Sequence, residues 1–220
     1  MRTISRYVQA LRDFFDNENA GDAAFLEFEF YGLGANPALI NKLKELANRY
    51  PKIDLEQLSQ LPAGTLGYEY AHHMEEHGLS LLEISPDLKE AANEKLFARR
   101  YTLTHDIFHV LLDQGIDYPG ELGVHGFITG QNYSWTLWLA APLAILGSAV
   151  VKPLKAGTMI SRFARGIRLG HTADCVLAYP FEQNWNCPIT DVRRELGLTS
   201  FQVDNSSSET TIMDESFVPH

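Results

Sequence analysis

The sequence predicts an all-α fold in a single domain. Apolar residues recur three and four apart along most of the chain, cap and proline signals punctuate those runs, and only one short segment alternates like a strand. Ile4 to Asp16 places Ile4, Tyr7, Val8, Leu11, Phe14 and Phe15 on one helical face, so MRTISRYVQALRDFF is read as a first helix and not as a leader. Phe25 to Tyr31, FLEFEFY, alternates, but with no second such run to pair with it is expected to be a helix or an extended edge. Asn36-Pro37 opens the next helix, since Asn caps free amides and proline suits the first turn, and Leu39, Ile40, Leu43, Leu46 and Ala47 follow on one face. After the break at Pro62-Ala63-Gly64, Leu66, Tyr70 and Met74 line a helix that ends at Gly78. Ser85-Pro86-Asp87 then starts a stretch expected to run to Leu112, with Gly115 as its stop and Pro119-Gly120 as a turn. Residues 124–151 and 158–179 are expected as two further helices, and Thr190 to Leu196 as a short one closed by Gly197. The domain is expected over residues 1–200, with residues 203–220 a polar tail.

The 220 residues carry 18 Lys plus Arg against 28 Asp plus Glu, a formal charge of −10, which repels a phosphate backbone and argues against nucleic acid as a partner. Cys175 and Cys187 are too few and too far apart for a disulfide framework, and a reducing compartment is expected.

The charge is unevenly spread. No acid lies between Glu121 and Asp174, while Lys152, Lys155, Arg162, Arg165 and Arg168 all fall there. The three arginines recur every third residue and could receive a lipid phosphate or another anionic head group. Just before them, Tyr133 to Val151 is nineteen residues without a charge. Pro142 and the amphipathic surroundings make a buried helix, or one lining an apolar pocket or dipping into a membrane face, better readings than a membrane span. Trp135, Trp138, Leu139 and Leu143 are the candidate contacts for a lipid tail.

The sharpest constellation is His105-Asp106-Ile107-Phe108-His109, followed after eleven residues by Glu121. On a helix the two imidazoles stand about 40° apart around the axis and roughly 6 Å apart along it, so both can face one ion, with Asp106 flanking. A reversal between Gly115 and Gly120 can return the Glu121 carboxylate toward the pair. Two imidazoles with carboxylates suit zinc, ferrous iron or manganese, and magnesium only with added oxygen ligands. His73 and His77 repeat the spacing, but their polar surroundings at a helix C-terminus favour a solvated face, and no site is placed there.

RRYTLTHDIFHVLLDQGIDYPGELG (Arg99 to Gly123), together with LPAGTLGYEYA (Leu61 to Ala71) and FEQNWNCPITDVRRELGL (Phe181 to Leu198), resembles the Coq-four family of ubiquinone (coenzyme Q) biosynthesis proteins. The resemblance implies an all-helical peripheral membrane protein that holds one divalent metal, magnesium or zinc, through His105, Asp106, His109 and Glu121 and accommodates a polyprenyl chain in an apolar centre. It implies a part in coenzyme Q synthesis. That part is either replacement of the C1 carboxyl of a polyprenylated benzoate ring by oxygen, with the same four residues catalytic, or non-catalytic organisation of the other enzymes. The expected partners are a polyprenyl lipid or prenylquinone precursor, a membrane surface, other quinone-biosynthesis enzymes and further copies of the chain. The expected location is cytoplasmic, on the inner face of a membrane.

Overall fold

The computed structural model describes residues 20–46 and 53–198, which form ten α-helices joined by turns and four short 3₁₀ segments. The expected helix from Ile4 and the tail from Val203 lie outside the described residues. The alternating FLEFEFY segment is helical, within α1 (Ala20–Gly32), because a helix satisfies its own backbone while Phe25, Leu26 and Phe28 are still buried. Helix α2 (Pro37–Leu46) begins as its cap predicts, with the Ala38 amide donating to Asn36 Oδ1 at 2.9 Å. The short α3 (Leu55–Ser59), capped by Asp54, was not anticipated. Helix α4 (Leu66–Glu76) is capped by Thr65, and Gly78 beyond its end has a left-handed φ of 61°.

Three expected elements are divided. The run from Ser85 becomes the 3₁₀ turn Pro86–Leu88, α5 (Lys89–Glu94) and α6 (Leu96–Leu112), with the break at Lys95, whose ψ of 66° leaves the helical region. Pro119-Gly120 is not a turn but lies in the first turn of α7 (Tyr118–Gly130), where a missing proline N–H costs nothing; Asp117 is the cap, accepting from the Gly120 amide at 3.1 Å. The long apolar stretch divides at Gln131–Ser134, where Asn132 has a φ of 52°, and resumes as α8 (Trp135–Val151). Helix α9 (Ala156–Thr172) stops short of residue 179, the chain ending there in the 3₁₀ turn Val176–Ala178, and α10 (Ile189–Glu195) closes the described fold.

Helix α6 runs through the main core, with Phe97, Tyr101, Ile107, Phe108 and Leu111 packed among Phe28 of α1, Tyr70 and Met74 of α4 and Phe127 of α7. Two arginines tie distant chain to it. Buried Arg100 donates to the carbonyls of Leu177 (3.2 Å) and Tyr179 (2.6 Å) and pairs with Glu182 Oε2 at 3.1 Å. Arg193 of α10 donates to the carbonyls of Leu111 (3.0 Å) and Val110 (2.8 Å) in the last turn of α6 and so fastens α10 to the end of that helix. Helices α7 and α9 touch backbone to backbone: a β-carbon on Gly126 would overlap the Phe163 carbonyl, and one on Gly166 the Gly123 carbonyl. No helix among the described residues is long and apolar enough to cross a membrane.

Candidate metal centre

His105 and His109 project from α6, and Glu121 from the first turn of α7, held there by the Asp117 cap. One ligating atom from each of the three lies within 4.8 Å of the others. His109 Nε2 stands 3.5 Å from Glu121 Oε1, and His105 Nε2 stands 3.6 Å from Glu121 Oε2. Which imidazole nitrogens carry hydrogen follows from their other neighbours. His109 Nδ1 faces the carbonyl oxygens of Gln114 (3.3 Å) and Gly115 (3.2 Å), which can only accept, so Nδ1–H donates and Nε2 keeps its lone pair. His105 Nδ1 likewise faces Asp106 Oδ1 at 3.4 Å.

Two imidazole lone pairs therefore confront the two oxygens of one carboxylate, an arrangement that repels unless positive charge lies between them. The fully buried side chain of His109 adds a second sign, since its Nε2 has no hydrogen-bond partner. Both observations fit a divalent cation held by two nitrogens and a carboxylate. Asp106 stands on the Nδ1 side of His105, outside the three-residue group, where its carboxylate can orient that imidazole.

Burial works against the His105 cation, but the Asp106 hydrogen bond and the charges of Glu121, Asp106 and Glu27 outweigh it and raise its pKa. Burial also opposes the Glu121 carboxylate, yet the close imidazoles of His109 and His105 lower its pKa. The Glu121 carboxylate is thus held ionised, a negative group for a cation to meet.

His125, one turn beyond Glu121 on α7, was not singled out by sequence, although the i, i+4 spacing from Glu121 was visible. Burial lowers its pKa to about 4 against the opposing effects of a hydrogen bond to the Leu137 backbone and of Glu121, so the ring is neutral near pH 7. It lines a cavity of about 190 Å³ together with Tyr31, Tyr101, His105 and Glu121.

The three arginines of α9 do not form one open face. Arg162 is half-buried and donates to Gln114 Oε1 at 2.8 Å, while Gln114 Nε2 donates to the Leu112 and Asp113 carbonyls at 3.0 and 3.1 Å. Arg162 thereby braces the loop whose carbonyls hold His109. Arg165 is half-buried, and Arg168 is exposed. The four lipid-tail candidates face outward instead of enclosing a tunnel: Trp135 is 61% exposed, Trp138 42%, Leu139 61% and Leu143 73%. Helix α8 is apolar on every side, and residues such as Leu137 and Ala141 occupy its buried side. A larger cavity, about 450 Å³, lies elsewhere, between Tyr70, Leu81, Ile84, Leu103, Trp185 and the Arg100–Glu182 pair, with Asp106 in its wall.

An all-α domain in which a histidine pair on one helix meets a carboxylate on the next is a helical protein with a candidate divalent-metal centre. The chain belongs to the family described as Coenzyme Q (ubiquinone) biosynthesis protein Coq4, whose family model matches residues 46–202. Relatives named "Ubiquinone biosynthesis protein COQ4 homolog, mitochondrial" include one from Danio rerio, 31% identical over 173 residues (73% of this chain, 61% of the relative). One from Homo sapiens is 30% identical over 160 residues (67% of this chain, 56% of the relative). The chain thus spans little more than half the length of these relatives. A crystal structure of a protein from Nostoc punctiforme shares the fold, with a TM-score of 0.64 and 20% identity over 89% of this chain and 96% of that one.

Proposed function

We propose that the chain is a metal-dependent catalyst that replaces the C1 carboxyl of a polyprenylated hydroxybenzoate by hydroxyl at a membrane surface. The observation that carries this reading is the pair of imidazole lone pairs facing the Glu121 carboxylate beside a cavity. His105, His109 and Glu121 would hold the ion; two nitrogen ligands favour zinc over magnesium. A bound divalent ion supplies Lewis acidity toward a ring carboxylate or phenolate. The chain's own residues do the rest: Asp106 and the Gln114 and Gly115 carbonyls orient the imidazoles, and neutral His125 is an acceptor in the wall. The 190 Å³ cavity is of the size that accepts one benzene-sized ring. The outward strip of α8, with exposed Lys152 just past its end, would rest on anionic lipid and meet the prenyl tail.

The experiment is incubation of metal-loaded protein with a prenylated 4-hydroxybenzoate under air, dioxygen serving as oxidant, with products followed by mass spectrometry. Loss of the carboxyl and gain of oxygen, abolished in metal-free protein and in Glu121→Gln, is the expected result. Equal turnover in Glu121→Gln would refute it. The second reading, a non-catalytic prenyl-lipid binder that organises quinone-biosynthesis enzymes, is favoured by the exposed strip itself. It would take over if lipid bound but no product formed.

A further inference from the structure

The helical pair His73 and His77 lies beside the candidate centre, a proximity its sequence position gives no hint of. The rings of His77 and His73 are 4.5 Å apart between centroids, those of His73 and His109 are 6.2 Å apart and stacked, and those of His109 and His105 are 4.9 Å apart. Four imidazoles thus stand in file from a surface pocket of about 290 Å³ to the inner cluster.

The outer two have the chemistry of a chelate. His77 Nδ1 lies 2.9 Å from the His73 carbonyl, an acceptor, so Nδ1–H donates and the Nε2 lone pair is left for a ligand. His73 Nε2 is buried with no hydrogen-bond partner, a state that a bound cation would relieve. Their i, i+4 spacing on the last turns of α4 puts both rings on one face. Glu69, Glu76 and Asp113 line the same pocket and outnumber its one arginine, Arg193, so the balance of charge there is negative.

We propose that His73 and His77 form a second metal site, at the surface end of the histidine file, for a nitrogen-preferring divalent ion such as zinc, cobalt or nickel, with water completing the shell. Two imidazole ligands select against magnesium, which prefers oxygen.

The test is titration of the full chain with zinc by calorimetry, and with cobalt by visible absorption, in wild type, His77→Asn, His73→Asn and Glu121→Gln. His77 is half-buried at the end of its helix, so His77→Asn keeps the test sound if His73→Asn fails to fold. Two zinc equivalents are expected in wild type, one in each single variant and none in His77→Asn combined with Glu121→Gln, with excess magnesium leaving the outer site unchanged. A single wild-type equivalent that survives His77→Asn and disappears in Glu121→Gln would overturn the outer site and leave the inner one standing. A single equivalent with the reverse behaviour would overturn the inner site and leave this one.

Discussion

His105, His109 and Glu121 show what a spacing can carry. Four residues on a helix determine which side chains share a face whatever the rest of the chain does, so the pair was legible at once, and the reversal before Glu121 needed only its breakers. Asp106 was legible as a member of the group, either as a ligand or as the acceptor that orients an imidazole, and the choice between the two depends on one imidazole rotation. Its role as an orienting acceptor sets an expectation: Asp106→Asn lowers metal affinity about 10- to 100-fold with stoichiometry unchanged, as read by competition with a chelator. His125 gives a second. An unfolded histidine titrates near 6.5, whereas burial holds this one at about 4. Between those values the unfolded chain takes up a proton that the folded chain refuses, so the full contribution to stability is present above about pH 6.5 and is lost as the pH falls toward 4. His125→Phe should flatten the dependence of the urea midpoint on pH in that window, and an unchanged slope would count against it.

At the scale of the element, periodicity identified most helices and misplaced several joints. The break at Lys95 carries no proline or glycine, and the one at Asn132 only Gly130 at the end of α7, so neither interrupts the apolar period strongly enough to be read from it. Pro119-Gly120 misled for the opposite reason, since a breaker pair is also an acceptable helix start once Asp117 supplies the cap. Arg162 could not be assigned from its own helix. Its partner, Gln114, is 48 residues away, and the hydrogen bond converts a candidate head-group contact into a brace on the loop that holds His109. Arg162→Met should weaken metal binding by less than Asp106→Asn does, and adding anionic lipid should not restore it. A loss confined to lipid binding would return Arg162 to the head group.

Across the whole molecule, an all-α fold was legible because the helical period recurs from end to end, while the long-range ties that close it were not. Arg100 and Glu182 are 82 residues apart and nearly fully buried together. Arg100→Met strands a buried carboxylate, and a loss of about 3–5 kcal/mol in chemical denaturation is expected, with Glu182→Gln added in the same chain recovering part of it. The outer strip of α8 gives the companion expectation: Leu143→Asp, at a position 73% exposed, should leave the melting temperature unchanged and lower cosedimentation with anionic vesicles. The glycine-lined meeting of α7 and α9 links these scales. With no side chains between the two backbones, there is no soft layer there to absorb a displacement, and a shift of α9 would carry α7 with it. Lys155, 3.2 Å from Asp117, and Arg162, bonded to Gln114, stand at the same end of that seam as Glu121. If the cationic face rests on lipid as proposed, a push there would be passed to the Glu121 carboxylate through backbone contact, and bulk introduced at Gly166 would weaken that coupling.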